Sequence, residues 1–416
     1  MIRFVHTADS HFGMENYGKI DSKTGIHSRL LDFHHAFNTC VETAIDESVD
    51  LFIFAGDAYK TAHPSPTQQR LLFDSFLKLF EAKIPLIIVV GNHDNPVSFG
   101  KTHALDLFGR LPLEGFHVIA QPKRLTIPTR NGPVQIVGIP WPSRTTLSLT
   151  NNFFSGVTEL NSFISSHIAA IISHEAAQLD PSLPAILVSH LTVASGHYSG
   201  SEKRAITGQD PTFLPSQLAI PPFDYIALGH LHRHQQLNPL GDGAPIVYSG
   251  SIERIDFGER ADEKGFCLGT IHRKGVVEYR FIKIPTRPLI QIEAMIPPGK
   301  NQTEAIISEI EKHTINDAIV KIVYHLPTGS PDKVDTRALQ EACLHAHDLA
   351  AIIPVHQPAE RKFRSNIKID MDLSTALTSY CTQKGFSTSQ AERIMLLAHA
   401  LEMEQLQKPT SDLQGK

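Results

Sequence analysis

Short apolar runs that each stop at a cluster of histidine, aspartate or asparagine constrain this chain more than any other feature of its sequence. Ile2–Val5 is followed by HTADSH (His6–His11), Leu51–Phe54 by AGD (Ala55–Asp57) and Leu86–Val90 by GNHD (Gly91–Asp94). Ala185–Val188 stops at Ser189-His190, and Tyr225–Leu228 at GHLH (Gly229–His232). Runs of this length and residue type read as buried strands. A sixth, Val134–Ile139, ends in Pro140-Trp141-Pro142, which holds the only tryptophan and no ligand, and reads as structural. Between the first three runs lie two segments with helical periodicity, about Arg29 to Ser48 and about Thr67 to Ala82, the second with Leu72, Phe76, Leu79 and Phe80 on one face. A further helix is read from Glu159 to Gln178. Strand, helix, strand, helix, strand marks a βαβ unit in an α/β fold with a largely parallel sheet. Ligand crevices in such sheets lie at the carboxyl ends of strands, so the five clusters are expected to converge.

Converged, they form a pool of Asp9, His11, Asp57, Asn92, His93, Asp94, His190, His230 and His232. Carboxylate, imidazole and amide oxygen suit Mn²⁺, Mg²⁺, Fe²⁺ or Zn²⁺, and no thiolate is among them. Asp9 and His11 are two apart, as are His230 and His232, and in an extended strand such pairs point the same way. The donors exceed what one ion can use, which suggests two metals about 3.5–4 Å apart that share a carboxylate. Two divalent ions against two carboxylates leave a net positive site, suited to an attacking hydroxide and a phosphoester oxygen rather than to redox chemistry. Taken singly, each cluster has a plainer reading: a turn, a helix-capping aspartate or a hydrogen-bonded core histidine. Five clusters in order, each at the same end of a strand, favour the metal site.

The 416 residues suggest two or three domains, and a net charge of −5 makes the chain no cationic nucleic-acid binder as a whole. Any contact with DNA must then be local. The four cysteines, Cys40, Cys267, Cys343 and Cys381, form no CxxC pair and read as reduced thiols, consistent with a cytoplasmic, nucleoid-associated protein. The opening residues reach His6 and Asp9 too soon for a signal peptide, and no apolar run approaches the ~18 residues of a membrane span. Past Ile284 a proline-flanked linker leads to strand Leu289–Ile296, helix Thr303–His313, strand Ala318–Tyr324, helix Asp335–Ala346 and strand Leu349–Val355. Two helical segments follow, Leu373–Lys384 and Ser389–Gln407, the second with Ile394, Leu397, Ala398 and Leu401 on one stripe and Ser387 or Ser389 as its cap. The expected division is 1–284, a small α/β domain over 285–358, and a helical segment with a polar tail over 359–416.

At Asp9-Ser10-His11, Gly56-Asp57, Gly91–Asp94, His190 and Gly229–His232 the sequence resembles the calcineurin-like metallophosphoesterases, whose blocks are DxH, GD, GNH[DE], H and GHxH. Within them it is similar to the DNA-repair nuclease subunits of SbcD type, through SGSIERIDFGE (Ser249–Glu259) and the opening FVHTADSHFG. The resemblance covers about residues 1–285, and the remainder by architecture alone. It implies a layered β-sandwich flanked by helices, with a small capping domain that helps place DNA. It also implies one metal on Asp9, His11, Asp57 and His232 and a second on Asp57, Asn92, His190 and His230, with Mn²⁺ the favoured ion and Mg²⁺ an alternative. His93 would contact the scissile phosphate or protonate the leaving 3′ oxygen, with Asp94 orienting its ring. Many relatives carry a histidine or other polar residue where this chain has Lys60, followed by His63; Lys60 is a DNA-backbone contact or a solvated loop lysine. Arg254 is a second DNA candidate, against the plainer reading of a turn in which it pairs with Glu253 or Asp256. The loop Ser195–Gly208, rich in small residues with Lys203 and Arg204, reads as a mobile lid beside His190 or as a plain linker, and Arg144 and Arg233 are further basic candidates against the plainer reading of solvated surface.

The implied activity is 3′ to 5′ degradation of duplex ends and nicking of single strands or hairpins, together with an SMC-like ATPase that docks on the terminal helix. A homodimer through Thr67–Ala82 and a helix near Thr102–Leu107 also follows from the resemblance. Two competitors stand beside it: a phosphatase or nucleotide phosphodiesterase on the same site, and a non-catalytic scaffold with a relic site, which predicts gaps in the ligand set. None is found.

Overall fold

Alternation along the central strands determines how the layers stack. Phe4, Ile53, Ile87 and Val89 share one buried cluster with Ile136, Ile186, Val188 and Ala227, whereas their neighbours Val5, Phe52, Phe54, Leu86 and Ile88 pack into another. Successive side chains of a strand point to opposite faces, so these strands are buried on both sides and read as continuous apolar runs. A computed structural model describes residues 1–96, 102–110, 114–143, 147, 154–200, 210–239, 243–356 and 371–406.

The first sheet joins β1 (Ile2–Thr7), β2 (Leu51–Phe54), β3 (Leu86–Val89) and β4 (Phe116–Ile119) in parallel. It continues antiparallel through β13 (Gly265–Arg273) and β14 (Val276–Lys283), in the order β14-β13-β1-β2-β3-β4. The second has the order β11-β12-β10-β7-β6-β5, from β5 (Lys123–Thr129), β6 (Gly132–Ile139), β7 (Ala185–His190), β10 (Tyr225–Gly229), β11 (Gln235–Gln236) and β12 (Ile246–Tyr248). A short pair, β8 (Thr192–Val193) and β9 (Thr212–Phe213), lies apart from both. Helices Ser28–Asp46 and Pro66–Glu81 cover the outer face of the first sheet through Phe33, Phe37, Leu72 and Phe76. Helix Val157–Ala177 covers the outer face of the second through Ile164, Ile168 and Ile172. The result is a mixed α/β sandwich of two sheets flanked by helices.

Helix ends follow their caps. Ser65 and Gln68 form a capping box that starts the second helix at Pro66. Asp335 lies outside its helix as the N-cap, and that helix, expected to reach Ala346, stops at Ala342. A helix stands at Asp106–Arg110, close to the expected one near Thr102–Leu107. Among the described residues no helix is long and apolar enough to cross a membrane.

A three-stranded sheet follows, ordered β15 (Leu289–Met295), β16 (Ile319–Leu326), β17 (Asp348–His356), with helices Gln302–Ile310 and Thr336–Ala342. Contacts divide the chain into Met1–Met295 with Lys300–Tyr324 and Lys333–Ile353, and a second unit of Ile296–Gly299, His325–Asp332 and Pro354–Lys416. Most of the 285–358 elements therefore join the first unit. One reason is Arg287, whose Nε and Nη2 donate to the two carboxylate oxygens of Asp32 at 2.8 and 2.7 Å, while buried Arg29 pairs with the same carboxylate.

In the second unit, helix Leu373–Lys384 is capped by Asp372 and ends at left-handed Gly385. Helix Thr388–Leu406 is capped by Ser387, whose hydroxyl accepts from the Gln390 amide. Arg144, residues 201–209 with Lys203 and Arg204, the stretch 357–370 and the tail from 407 lie outside the described residues.

Candidate metal centre

The β1 and β2 loops are zipped together by backbone. The amides of Asp9, His11 and Phe12 donate to the carbonyls of Gly56, Asp57 and Ala58 at 3.0, 3.1 and 2.9 Å. This pairing, and not strand alternation, brings Asp9 and His11 to one place. β1 ends at Thr7, and both residues have positive φ, 51° and 40°, as do Asp57 at 56° and His230 at 103°. Non-glycine residues rarely adopt this region, and such strain collects where surrounding structure enforces it at functional sites. The glycines of the motifs are required by crowding: a Cβ at Gly91 would lie 2.1 Å from Asp57 Oδ1, and one at Gly56 would lie 2.3 Å from His190 Nδ1.

Among the described residues, three groups of side chains offer ligand atoms within 4.8 Å of one another: Asp9, His11 and His232; His11, Asp57 and His93; and Asp57, His190 and His230. Asn92 completes the third, its Oδ1 lying 3.0 Å from His190 Nε2 and 3.1 Å from His230 Nδ1. Asp57 is common to two groups, with Oδ2 at 3.4 Å from His190 Nε2 and 3.8 Å from His11 Nε2.

Hydrogen bonds around the rim fix which imidazole nitrogen faces inward. His190 Nδ1 donates to the Ala55 carbonyl at 2.8 Å, His230 Nε2 to Asp210 at 3.1 Å, and His232 Nδ1 to Glu259 at 2.8 Å. In each neutral ring the other nitrogen is then a lone pair. Those lone pairs confront the Asn92 oxygen, the Asp57 carboxylate and, for His232, His11 Nε2 at 3.1 Å. A divalent cation between such facing acceptors would satisfy them, and the donor set fits one.

On His190 a proton can serve the same end, with Nε2 donating toward Asp57 and Asn92. Burial works against the His190 imidazolium, but Asp57 and Asp9 outweigh it and push the group up to about 9. Against its own burial, Asp57 is held well below the usual carboxylate range, chiefly by His190. Burial pushes Asp9 up to about 6, with Asp57 adding to the shift. His6, in the same sequence cluster, bonds to the Tyr225 hydroxyl and the Leu228 carbonyl, and burial lowers it to about 3; it is a neutral core histidine.

His93 stands at the open edge, its side chain 45% exposed. Its backbone amide donates to Asp57 Oδ1 at 2.9 Å, and its Nδ1 donates to the Lys60 carbonyl at 2.8 Å. Nε2 is thereby the ring nitrogen left facing the cluster, 4.0 Å from Asp57 Oδ2. The ring is oriented by Lys60 and not by Asp94, which corrects the expectation for that residue. Asp94 is buried, and its carboxylate accepts from the amides of Ala58, Tyr59 and Gly91 at 3.2, 3.0 and 3.0 Å, clamping the β2 and β3 loops together. The turn after Asn92 directs Asp94 inward while His93 points out. Lys60 itself is exposed, with Nζ 2.9 Å from the Met14 sulfur. Arg254 does not present its head outward as a DNA contact requires: Nη1 donates to Thr286 and to the Arg287 carbonyl, and Nη2 to the Asp262 carbonyl. Arg233 is exposed beside the motif.

Three supporting groups escaped sequence reading. Glu259 is fully buried and holds His232; its own charge is shared with Lys264 Nζ at 2.8 Å. Against burial, Lys264 and His232 hold its carboxyl well below the ordinary range. Asp210 holds His230, and Trp141 lies 4.7 Å from the His230 ring and 6.0 Å from that of His190. The Ser249–Glu259 block was visible as a motif, but nothing in it names His232 as a partner. Substituting Glu259→Gln should weaken metal affinity by about 10–100-fold, the range for losing a group that orients a ligand. Titration calorimetry with Mn²⁺ checks this, and unchanged affinity would contradict the orienting role.

Residues 2–234 match the family model of calcineurin-like phosphoesterases, more than half of the chain. The chain belongs to this family. It is a metallophosphoesterase, and family and donor set together indicate a metal-dependent phosphoester hydrolase using two divalent ions. Among solved structures, the protein TT1561 of Thermus thermophilus is similar over 67% of this chain and 98% of its own, at 13% identity and a TM-score of 0.38. A dimetal phosphatase from Danio rerio is similar over 67% and 98%, at 12% identity and a TM-score of 0.37.

Proposed function

We propose that this metallophosphoesterase is a DNA nuclease, cleaving phosphodiester linkages 3′ to 5′ from duplex ends and within single strands or hairpins. The observation that carries the hydrolytic part is Asp57, placed between two donor groups that otherwise share nothing. Asp9, His11, Asp57 and His232 would hold one ion, and Asp57, Asn92, His190 and His230 the other, with Mn²⁺ favoured. When bound, such ions polarise the phosphoryl oxygen and lower the pKa of water. His93 would act as the imidazolium: Nδ1–H stays on the Lys60 carbonyl and orients the ring, while Nε2–H at the open edge contacts the scissile phosphate or passes its proton to the leaving 3′ oxygen, leaving the neutral ring. Glu259 and Asp210 keep His232 and His230 with their lone pairs inward. Exposed Lys60 supplies a point charge toward a phosphate backbone.

The nuclease reading draws support from the Ser249–Glu259 block, whose last residue reaches the metal cluster. Comparison of linear duplex DNA with bis(p-nitrophenyl) phosphate tests it. Degradation of both is expected; turnover of the small diester with DNA left intact would favour a phosphatase instead.

We also infer a partner: an SMC-like ATPase docked on the terminal helix, in a homodimeric assembly acting in double-strand-break repair. The expected stripe on Thr388–Leu406 divides. Ile394 and Ala398 are half-buried, whereas Leu397 and Leu401 are 61% and 63% exposed, beside Leu396 at 73%. Exposed leucines one turn apart are the pattern of a helix that lies in a partner's groove. Replacing Leu397 and Leu401 with glutamate should abolish the complex on size-exclusion chromatography without lowering hydrolysis of the small diester. A complex that survives would contradict the surface assigned.

A further inference from the structure

One short 3₁₀ turn, Phe257–Glu259, faces two ways. At its end Glu259 accepts from His232 in the metal cluster, and on its other side Asp256 and Phe257 line a cleft of about 440 Å³. Tyr17 meets Phe257 edge-on at 5.3 Å, and the Lys321 ammonium lies 5.6 Å over the Phe257 ring. Ala350 and Ala351 on β17 line the same cleft with small side chains, which leaves room against the aromatic wall. Tyr17 is half-buried and has a φ of 58°, a conformation a bulky residue adopts only under constraint.

The cleft therefore combines an aromatic surface, one cation and one carboxylate, within the volume range of small-ligand sites. Aromatic faces with a nearby cation are how proteins hold the bases and phosphates of single strands. Asp256, whose Oδ1 already accepts from the Gly258 amide at 2.7 Å, repels a phosphate from its own side and favours an amino-bearing base edge there. We propose that this cleft is a subsite for one nucleotide of a single-stranded segment beside the scissile linkage, its base against Tyr17 and its phosphate at Lys321. The proposal rests on the nuclease reading and adds to it a place where unpaired DNA is gripped.

The test uses the full chain without added metal, so that binding is read apart from cleavage, and a fluorescein-labelled single-stranded oligonucleotide followed by anisotropy. Tyr17→Asn, which tolerates positive φ, should weaken binding at least about fivefold, and Tyr17→Phe should restore it. Lys321→Gln should lower the slope of log K against log salt by about 0.7, the value for one phosphate contact on a single strand. Neither Tyr17→Asn nor Lys321→Gln should alter hydrolysis of bis(p-nitrophenyl) phosphate by the metal-loaded enzyme. Parental affinity and salt slope in both variants would overturn the subsite while leaving the nuclease reading intact. Parental enzyme that hydrolyses the small diester but neither binds nor cuts the oligonucleotide would overturn both. Loss of small-diester hydrolysis in both variants would show a structural role and overturn the subsite.

Discussion

Asp57→Asn is expected to reduce phosphodiester hydrolysis by more than about 100-fold, beyond the loss from any group that merely orients a ligand. The reason is its position. One carboxylate oxygen lies within 4 Å of His11, His93 and His190, and the other accepts the His93 amide. Asparagine keeps the shape and one acceptor but removes the negative charge that the two donor groups share. Both ions should therefore be lost together, and elemental analysis after dialysis should find fewer than one metal per chain. Hydrolysis within about tenfold of the parent would contradict the shared role. In metal-free protein the proton on His190 offers a second readout. With Asp57 neutral, burial opposes the imidazolium with less to offset it, so the His190 pKa should fall from about 9.

His93→Leu gives the second large effect, of a different kind. Its ring belongs to the open edge of the cluster, and its Nδ1 is engaged by the Lys60 carbonyl. Loss of a positioned proton donor or phosphate contact costs typically about 10²–10⁴-fold in turnover. The donor groups Asp9, His11, His232 and Asp57, His190, His230 remain complete without it. Turnover should therefore collapse while metal stoichiometry is unchanged. An unchanged rate, or a loss of ions that parallels the loss of rate, would remove His93 from the role assigned to it.

The strands were legible because the central ones are buried on both faces. Ile53 and Phe54 point opposite ways into different layers, and nothing polar interrupts the run. The convergence of Asp9, Asp57, Asn92, His190 and His230 followed from strand direction alone, since each lies at or just past a carboxyl end. Backbone conformation was not legible. The DxH spacing suggested an extended pair, whereas both residues sit at positive φ on a loop stitched to Gly56 and Asp57. Adjacency also misled at Asp94, because one turn of backbone aims its carboxylate at three amides and away from His93. Glu259 and Asp210 lie 27 and 20 residues from the histidines they hold, and no local pattern records such a pairing. Arg254 looked available for DNA until the packing of 285–287 gave its guanidinium other partners.

The most direct measurement is an anomalous-scattering map of manganese-soaked crystals. It should show two peaks about 3.5–4 Å apart, one against Asp9, His11, Asp57 and His232 and the other against Asp57, Asn92, His190 and His230. A single peak, or a pair that does not share Asp57, would contradict the two-ion centre.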